Sequence, residues 1–127
     1  VVCWSYPKHL HQILVNRLRK QGAKIDDIYF CPHHPDSRIK KYRRKCSCRK
    51  PTPGMILRAI RKYKINPRKS FMIGDAIIDV VAGKRAGLKT VLVRTGPGHP
   101  RLDKFYNAKP DFVAKSLRAA AKIIKHS

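Results

Sequence analysis

Short apolar runs alternate with amphipathic stretches along the second half of the chain. Phe71–Ile73, Thr90–Arg94 and Asp111–Val113 have the length and composition of buried strands. Between the first two runs, apolar residues over about Ile78–Ala86 recur at helical spacing, and Gly87 marks the end of that helix. Strands that alternate with helices at this interval predict an α/β layered domain with a parallel sheet.

The first half of the chain predicts two further helices and a short strand. A helix over Pro7–Gly22 carries one apolar face, made of Leu10, Ile13, Leu14 and Leu18. Ile28–Phe30 has the character of a short buried strand. Thr52 is the expected N-cap of a helix that has Pro53 in its first turn and runs to about residue 64, and Ser116 is the expected cap of a terminal helix.

Two cysteine-containing pairs flank a basic loop. Cys31 and His33 form a C-x-H pair, and Cys46 and Cys48 form a C-x-C pair further on. Each pair can fix two corners of a tetrahedron, and thiolate and imidazole ligands favour zinc over magnesium or calcium. We therefore predict a structural zinc site with these four ligands. Two alternatives stay open: His34 replaces His33, or Cys46 forms a disulfide with Cys31 or Cys3.

The charge of the chain is strongly one-sided. Thirty Lys and Arg residues face only seven acids, all of them Asp, and the net charge is +23. Such a surface is typical of proteins that bind a nucleic-acid backbone, although a merely solvated basic face is the alternative. The expected RNA contacts lie on the zinc loop and the segment after it: Arg38, Lys40, Lys41, Tyr42, Arg43, Arg44, Arg58, Arg61, Lys62, Arg68 and Lys69. Tyr42 could stack on a base or be an ordinary surface aromatic.

The sequence predicts neither a membrane span nor a secretion signal. It has no run of about eighteen apolar residues. Cysteines at metal-ligand spacing predict an intracellular, reducing compartment. The chain does not begin with Met, and Val1-Val2 has the character of a strand end, so we expect residues upstream to have been removed or lost.

A pair of acids stands where a strand ends and a helix begins. In Gly74-Asp75-x-x-x-Asp79 the acids follow the Phe71–Ile73 run, at the carboxyl edge of the predicted sheet, where ligands bind. Two carboxylates four residues apart can reach one magnesium ion. The alternative is that Asp79 caps the helix and Asp75 caps the turn.

Four segments of the sequence together match a known family. They are Cys31-Pro-His-His-Pro, Cys46-x-Cys48-Arg49-Lys50-Pro51-x-Pro53-Gly54-Met55, Met72-Ile73-Gly74-Asp75-x-x-x-Asp79-x-x-Ala82-Gly83 and Val91-Leu92-Val93-Arg94-Thr95-Gly96. From about Gln21 onward the chain resembles the D-glycero-D-manno-heptose 1,7-bisphosphate 7-phosphatases of the haloacid-dehalogenase superfamily. The resemblance implies a Rossmann-like parallel sheet of the haloacid-dehalogenase type. It also implies one domain over residues 1–127, with a zinc loop inserted at residues 31–50.

The resemblance also implies roles for individual residues. In that family zinc clamps a loop beside the active site. A lysine that matches Lys50 binds the phosphate, and the neighbouring Arg49 contacts the substrate. The acid that matches Asp75 holds magnesium, and Asp79 supports it.

The family's nucleophile is missing from the printed sequence. It is the first Asp of an Asp-x-Asp pair on the first strand, and no Asp-x-Asp occurs in these 127 residues. A phospho-enzyme cannot form without a nucleophile. We therefore expect the first strand to be missing and no residue of this chain to be catalytic, and we interpret Asp75 and Asp79 as a relic magnesium site.

Two functional hypotheses follow. The first is a non-catalytic phosphatase-like fold that serves as an RNA-binding structural subunit of a ribonucleoprotein, for example a mitochondrial or other organellar ribosome. Its partners would be ribosomal RNA and neighbouring proteins, with no membrane contact and no DNA specificity. The alternative is a magnesium-dependent sugar-bisphosphate phosphatase whose nucleophile strand lies outside this sequence.

Overall fold

The structure is a computed structural model that describes residues 7–98 and 103–127. These residues form two compact units, one that ends at Cys46 and one that runs from Ser47 to Ser127. The prediction of a strand end at Val1-Val2 lies outside the described residues. The division into one domain with an insert at residues 31–50 stays a prediction.

In its described residues, the first unit contains one α-helix and a short 3₁₀ turn. Helix α1 spans Pro7–Lys20, close to the predicted bounds, and Gly22 follows it at a φ of 78°. Leu10, Ile13 and Leu14 remain 37–46% exposed on one face of α1. The strand predicted at residues 28–30 is wrong, because no strand in the described part of the chain pairs with this segment.

The second unit contains a parallel sheet, which confirms the predicted α/β class. Strands β1 (Phe71–Gly74), β2 (Lys89–Val93) and β3 (Phe112–Ala114) lie in the order β1-β2-β3. Ile73 lies opposite Val91 in the first parallel pair, and Val91 lies opposite Phe112 in the second. The apolar runs therefore located all three strands to within one residue at each end.

Helices cover both faces of this sheet. Alternate residues of a strand point to opposite faces. Val91 and Val93 pack with Ala120 of helix α4 (Leu117–Lys125) on one face. On the other face, helix α3 (Ile77–Arg85) comes so close that a Cβ at Gly83 would lie 2.7 Å from the Cβ of Met72. The expected active site, at the carboxyl ends of the strands, therefore lies at the edge of a sheet that has a helix packed on each face.

The helix caps partly follow the prediction. Ser116 caps α4, since its Oγ accepts a hydrogen bond from the amide of Ala119 at 3.2 Å. The predicted Thr52 cap of helix α2 (Gly54–Tyr63) is wrong: the hydroxyl of Thr52 donates to the carbonyl of Ser47 at 2.8 Å, and Pro53 occupies the cap position. Among the described helices, none combines the length and apolar character that crossing a membrane requires.

Asp111 ties the starts of two strands to α3. Thr90, which is fully buried, donates from its amide and its hydroxyl to Asp111 Oδ2, both at 2.7 Å. Lys84 Nζ of α3 lies 3.3 Å from Asp111 Oδ1. The Thr90 hydroxyl is the main cause of a lowered pKa for the Asp111 carboxyl, and the Thr90 amide and Lys84 add to it.

We expect Asp111→Ala to lower the free energy of unfolding at pH 7 by about 1–3 kcal/mol, because the buried Thr90 donors lose their acceptor. A lowered pKa in the fold means that the carboxylate stabilises above its usual pKa of about 3.9, and that this contribution is lost as the pH falls through the folded-state pKa. Urea denaturation at pH 7, 5 and 3 should therefore show that the difference in free energy of unfolding between the native chain and Asp111→Ala becomes smaller only at the lowest pH.

The matched control is Asp26→Ala, whose carboxylate forms a surface pair with Lys24 and is 67% exposed. This change should be nearly neutral at each pH. If the difference in free energy of unfolding between Asp111→Ala and the native chain stays constant down to pH 3, the ionised carboxylate adds nothing to stability.

Candidate functional site

The predicted zinc ligands lie together in the structure. The ligand atoms of Cys31, His33, Cys46 and Cys48 are all within 4.8 Å of one another, and all four residues are half-buried. Cys31 Sγ is 3.3 Å from Cys46 Sγ and 3.9 Å from His33 Nδ1. This group of three sulfurs and one imidazole can hold a metal ion.

Two alternatives to this set of ligands were considered from the sequence, namely a disulfide of Cys46 and the replacement of His33 by His34. None of the thiols of Cys31, Cys46 and Cys48 is joined in a disulfide, so a Cys31–Cys46 disulfide is not present. Cys3, the other proposed disulfide partner, lies outside the described residues. His34 lies outside the cluster, and its Nδ1 accepts a hydrogen bond from the amide of Asp36 at 3.0 Å. The geometry therefore favours His33 over His34.

Hydrogen bonds within the basic loop hold its middle in a defined shape. A 3₁₀ turn spans Lys40–Tyr42, and the carbonyl of Tyr42 accepts from the amide of His34 at 2.9 Å. Arg43 Nε donates to the carbonyl of the buried Ser37 at 2.6 Å. The Arg43 guanidinium thus braces the loop, and the half-buried Tyr42 ring has the Lys41 ammonium 5.5 Å from its centre.

A second group of side chains lies at the carboxyl edge of the sheet. Asp75 directly follows β1, and its Oδ2 accepts a hydrogen bond from the amide of Gly98, in the loop after β2, at 3.1 Å. Gly96 leaves room for this carboxylate, because a Cβ there would overlap it. Within the described residues, Asp75 Oδ1 has no hydrogen-bond partner, so this oxygen can reach a cation.

Asp79 is buried and uses both carboxylate oxygens. Its side chain is 5% exposed, Oδ2 accepts from the amide of Ala76 at 3.2 Å, and Oδ1 forms an ion pair with Lys50 Nζ. Gly74 permits this approach, because any side chain there would overlap Asp79. Asp79 therefore caps α3, the alternative considered from the sequence, and it also orients Lys50.

A compact turn before α2 positions Lys50. The amide of Gly54 donates to the carbonyl of Ser47 at 3.0 Å, and the amide of Thr52 donates to the carbonyl of Arg49 at 3.0 Å. Arg85 of α3 donates to the Pro51 carbonyl at 3.2 Å. The Lys50 side chain stays 39% exposed, and a lysine ammonium has three donors, so its pairing with Asp79 leaves donors for an anion.

One carboxylate at this edge was missed by the sequence interpretation. Asp103 Oδ1 accepts a hydrogen bond from the amide of Ile77, the first residue of α3, at 2.9 Å. The two residues are 26 positions apart, and Asp103 belongs to no recognisable motif. Its only signal in the sequence was that acids are rare in this chain.

The arrangement suits phosphate chemistry. An ammonium that is partly exposed can bind a phosphate oxygen, and a carboxylate with one available oxygen can bind magnesium. Both groups lie at the carboxyl edge of a parallel sheet, where ligands bind in this architecture. Among the residues that the structure describes, no Asp-x-Asp pair accompanies them.

Comparisons with known proteins point in the same direction. Residues 47–120 match the sequence model of the family described as HAD-hydrolase-like. The chain is 42% identical over 109 residues to the D-glycero-beta-D-manno-heptose-1,7-bisphosphate 7-phosphatase of Pasteurella multocida, with 85% of this chain and 57% of that protein covered. It is 38% identical over 125 residues to the corresponding alpha-heptose enzyme of Photorhabdus laumondii, with 94% and 66% covered.

A solved structure gives the same result. The chain matches the D,D-heptose 1,7-bisphosphate phosphatase from B. bronchiseptica, complexed with magnesium and phosphate, at a TM-score of 0.75 and 30% identity. The match covers 94% of this chain and 63% of that one. The chain therefore spans between about half and two thirds of the length of these relatives.

These findings overturn the RNA-binding hypothesis. The relatives are phosphatases that act on a small sugar bisphosphate, so a ribonucleoprotein subunit, ribosomal RNA as a partner and a mitochondrial ribosome were wrong predictions. Net charge indicates affinity for anions in general and does not identify the anion. The comparisons therefore give no support to RNA binding by the residues predicted to contact RNA, which are Arg38, Lys40, Lys41, Tyr42, Arg43, Arg44, Arg58, Arg61, Lys62, Arg68 and Lys69.

Proposed function

Because this chain belongs to the haloacid-dehalogenase-like hydrolases, among the heptose-1,7-bisphosphate 7-phosphatases, we propose that it is the phosphate- and magnesium-binding part of a heptose-bisphosphate phosphatase. The observation that carries this proposal is the Lys50–Asp79 ion pair beside Asp75 at the carboxyl edge of β1. The reaction is the hydrolysis of one phosphate monoester of a sugar bisphosphate.

Each residue of this edge has a distinct role in the proposal. The Lys50 ammonium binds the phosphate, and Asp79 holds that ammonium in place. Asp75 Oδ1 is the magnesium ligand, because Oδ2 already accepts from Gly98. Arg49 contacts the rest of the substrate. Magnesium, when bound, would offset negative charge on the phosphate oxygens.

The nucleophile strand of this proposal lies outside the printed sequence. In the described part of the chain, β1 pairs on one side only, with β2, and all four of its residues are half-buried. Its other edge can therefore accept one more parallel strand. Such a strand would end beside Asp75, where a carboxylate nucleophile could reach a phosphate bound by Lys50.

We also propose that Cys31, His33, Cys46 and Cys48 hold a structural zinc ion. Three sulfurs and one imidazole form a zinc donor set, and four protein ligands leave no position for substrate. Because thiolates bind zinc only while reduced, this site fits an intracellular, reducing compartment.

We expect one zinc ion per chain by elemental analysis of the purified protein. His33→Ala should lose most of this zinc, and His34→Ala, the matched control one position along, should keep it. Removal of zinc with a strong chelator should lower the melting temperature of the native chain, because the loop loses its cross-link. Full zinc content in His33→Ala, or none in the native chain, would contradict the assignment.

Phosphatase activity can be tested by placing a nucleophile strand ahead of the 127 residues. The segment of the Pasteurella multocida phosphatase that precedes its match to this chain would be fused ahead of Val1. We expect the fusion to release phosphate from heptose 1,7-bisphosphate when magnesium is present. Lys50→Met and Asp75→Asn in the fusion should each lower kcat/KM by about 100-fold or more, as loss of a charged transition-state contact does.

Lys122→Met is the matched control for charge, because it removes an exposed lysine from α4, far along the chain from the site residues. Its kcat/KM should stay within about twofold of the fusion. A fusion that melts cooperatively and binds magnesium but releases no phosphate would overturn the proposed function.

A further inference from the structure

We infer that Asp103 is a positioning residue for Asp75, holding the start of α3 and the loop after β2 around that carboxylate. Asp103 lies 28 positions beyond Asp75 in the printed sequence. The inference rests on the proposed function only for what Asp75 does, namely the binding of a divalent cation.

The first contact fixes the backbone directly after Asp75. The first amides of a helix have no partner inside the helix. At the start of α3, the amide of the cap residue Ala76 donates to Asp79 Oδ2 at 3.2 Å, and the amide of Ile77 donates to Asp103 Oδ1 at 2.9 Å. Two carboxylates thus hold the two amides that follow Asp75. Their negative charge also suits the N-terminal end of the helix dipole.

The second contact fixes the loop on the other side of Asp75. Gly98 donates its amide to Asp75 Oδ2 at 3.1 Å and has a φ of 64°. A Cβ on Gly98 would lie 3.3 Å from Asp103 Oδ2 and 3.3 Å from the Asp75 carbonyl oxygen. The Asp103 carboxylate and the Asp75 carbonyl therefore both lie near Gly98, on the side to which a Cβ would project.

Asp103 is therefore hydrogen-bonded to one segment that defines the position of Asp75 and lies near the other. One is the chain after Asp75, through Ile77, and the other is the hydrogen-bond donor to its carboxylate, Gly98. A metal ligand has to be held within about 0.5 Å of its working position, and partners behind a ligand typically change metal affinity about 10–100-fold. Asp103 has the geometry of such a partner.

Two substitutions separate this role from a general effect on folding. Asp103→Ala removes the acceptor of the Ile77 amide. Asp103→Asn keeps a carbonyl oxygen of the same reach, so it should restore the hydrogen bond without the charge. Both would be made in the 127-residue chain, and amide hydrogen exchange would be followed by NMR at Ile77, Gly98 and Val91, a core residue of β2.

We expect Asp103→Ala to speed exchange about tenfold or more at both Ile77 and Gly98, and to leave Val91 unchanged. Asp103→Asn should return both rates to within about threefold of the native chain. Faster exchange at Ile77 alone would make Asp103 a helix cap that does not reach Asp75, and would overturn the inference. Equal acceleration at Val91 would also overturn it, because that result reports loss of overall stability.

Line broadening by Mn²⁺ then separates this inference from the proposed function. In the native chain, Mn²⁺ should broaden the amides of Asp75 and Gly98, and Asp103→Ala should need about tenfold more Mn²⁺ for the same effect. Absence of broadening in the native chain would contradict the metal role of Asp75. The exchange rates would still decide whether Asp103 positions it.

Discussion

The carboxylate of Asp79 is the constraint on which the candidate site depends. A carboxylate that is 5% exposed is costly unless its oxygens are paired. One oxygen accepts from the amide at the start of α3, and the other pairs with the ammonium of Lys50. This second contact joins the turn before α2 to the end of β1. Gly74 is part of the same constraint, because only a residue without a side chain leaves space for Asp79.

The parallel sheet brings other residues of the candidate site to the edge where Asp79 pairs with Lys50. Because β1 and β2 run in the same direction, the residues that follow them meet at one edge, where Gly98 binds Asp75. At the opposite ends of the strands, Asp111 secures Thr90 and Lys84. One end of the sheet is therefore held by a structural carboxylate, and the other end presents the carboxylates and the lysine that suit phosphate chemistry.

The strands and the two motifs were predictable because their signals are local. Apolar runs indicated the strands, C-x-H and C-x-C pairs indicated the metal cluster, and Gly74-Asp75 marked the edge of the sheet. Asp103 could not be found this way, because its contacts span loops whose conformation no short pattern encodes. The strand expected at residues 28–30 failed for a related reason: an apolar segment becomes a strand only when another strand pairs with it. The net charge led to the wrong RNA-binding hypothesis, because net charge does not distinguish a polyanion from a small phosphorylated sugar.

The most direct test of this account is an NMR titration of the chain with inorganic phosphate in the presence of magnesium, at physiological salt. We expect amide shifts to concentrate at Lys50, Asp75, Ala76 and Gly98, and to disappear in Lys50→Met. Shifts that instead spread over the basic face of α2, at Arg58, Arg61 and Lys62, and that fade equally with added salt in both proteins, would contradict a phosphate site at the carboxyl edge of the sheet.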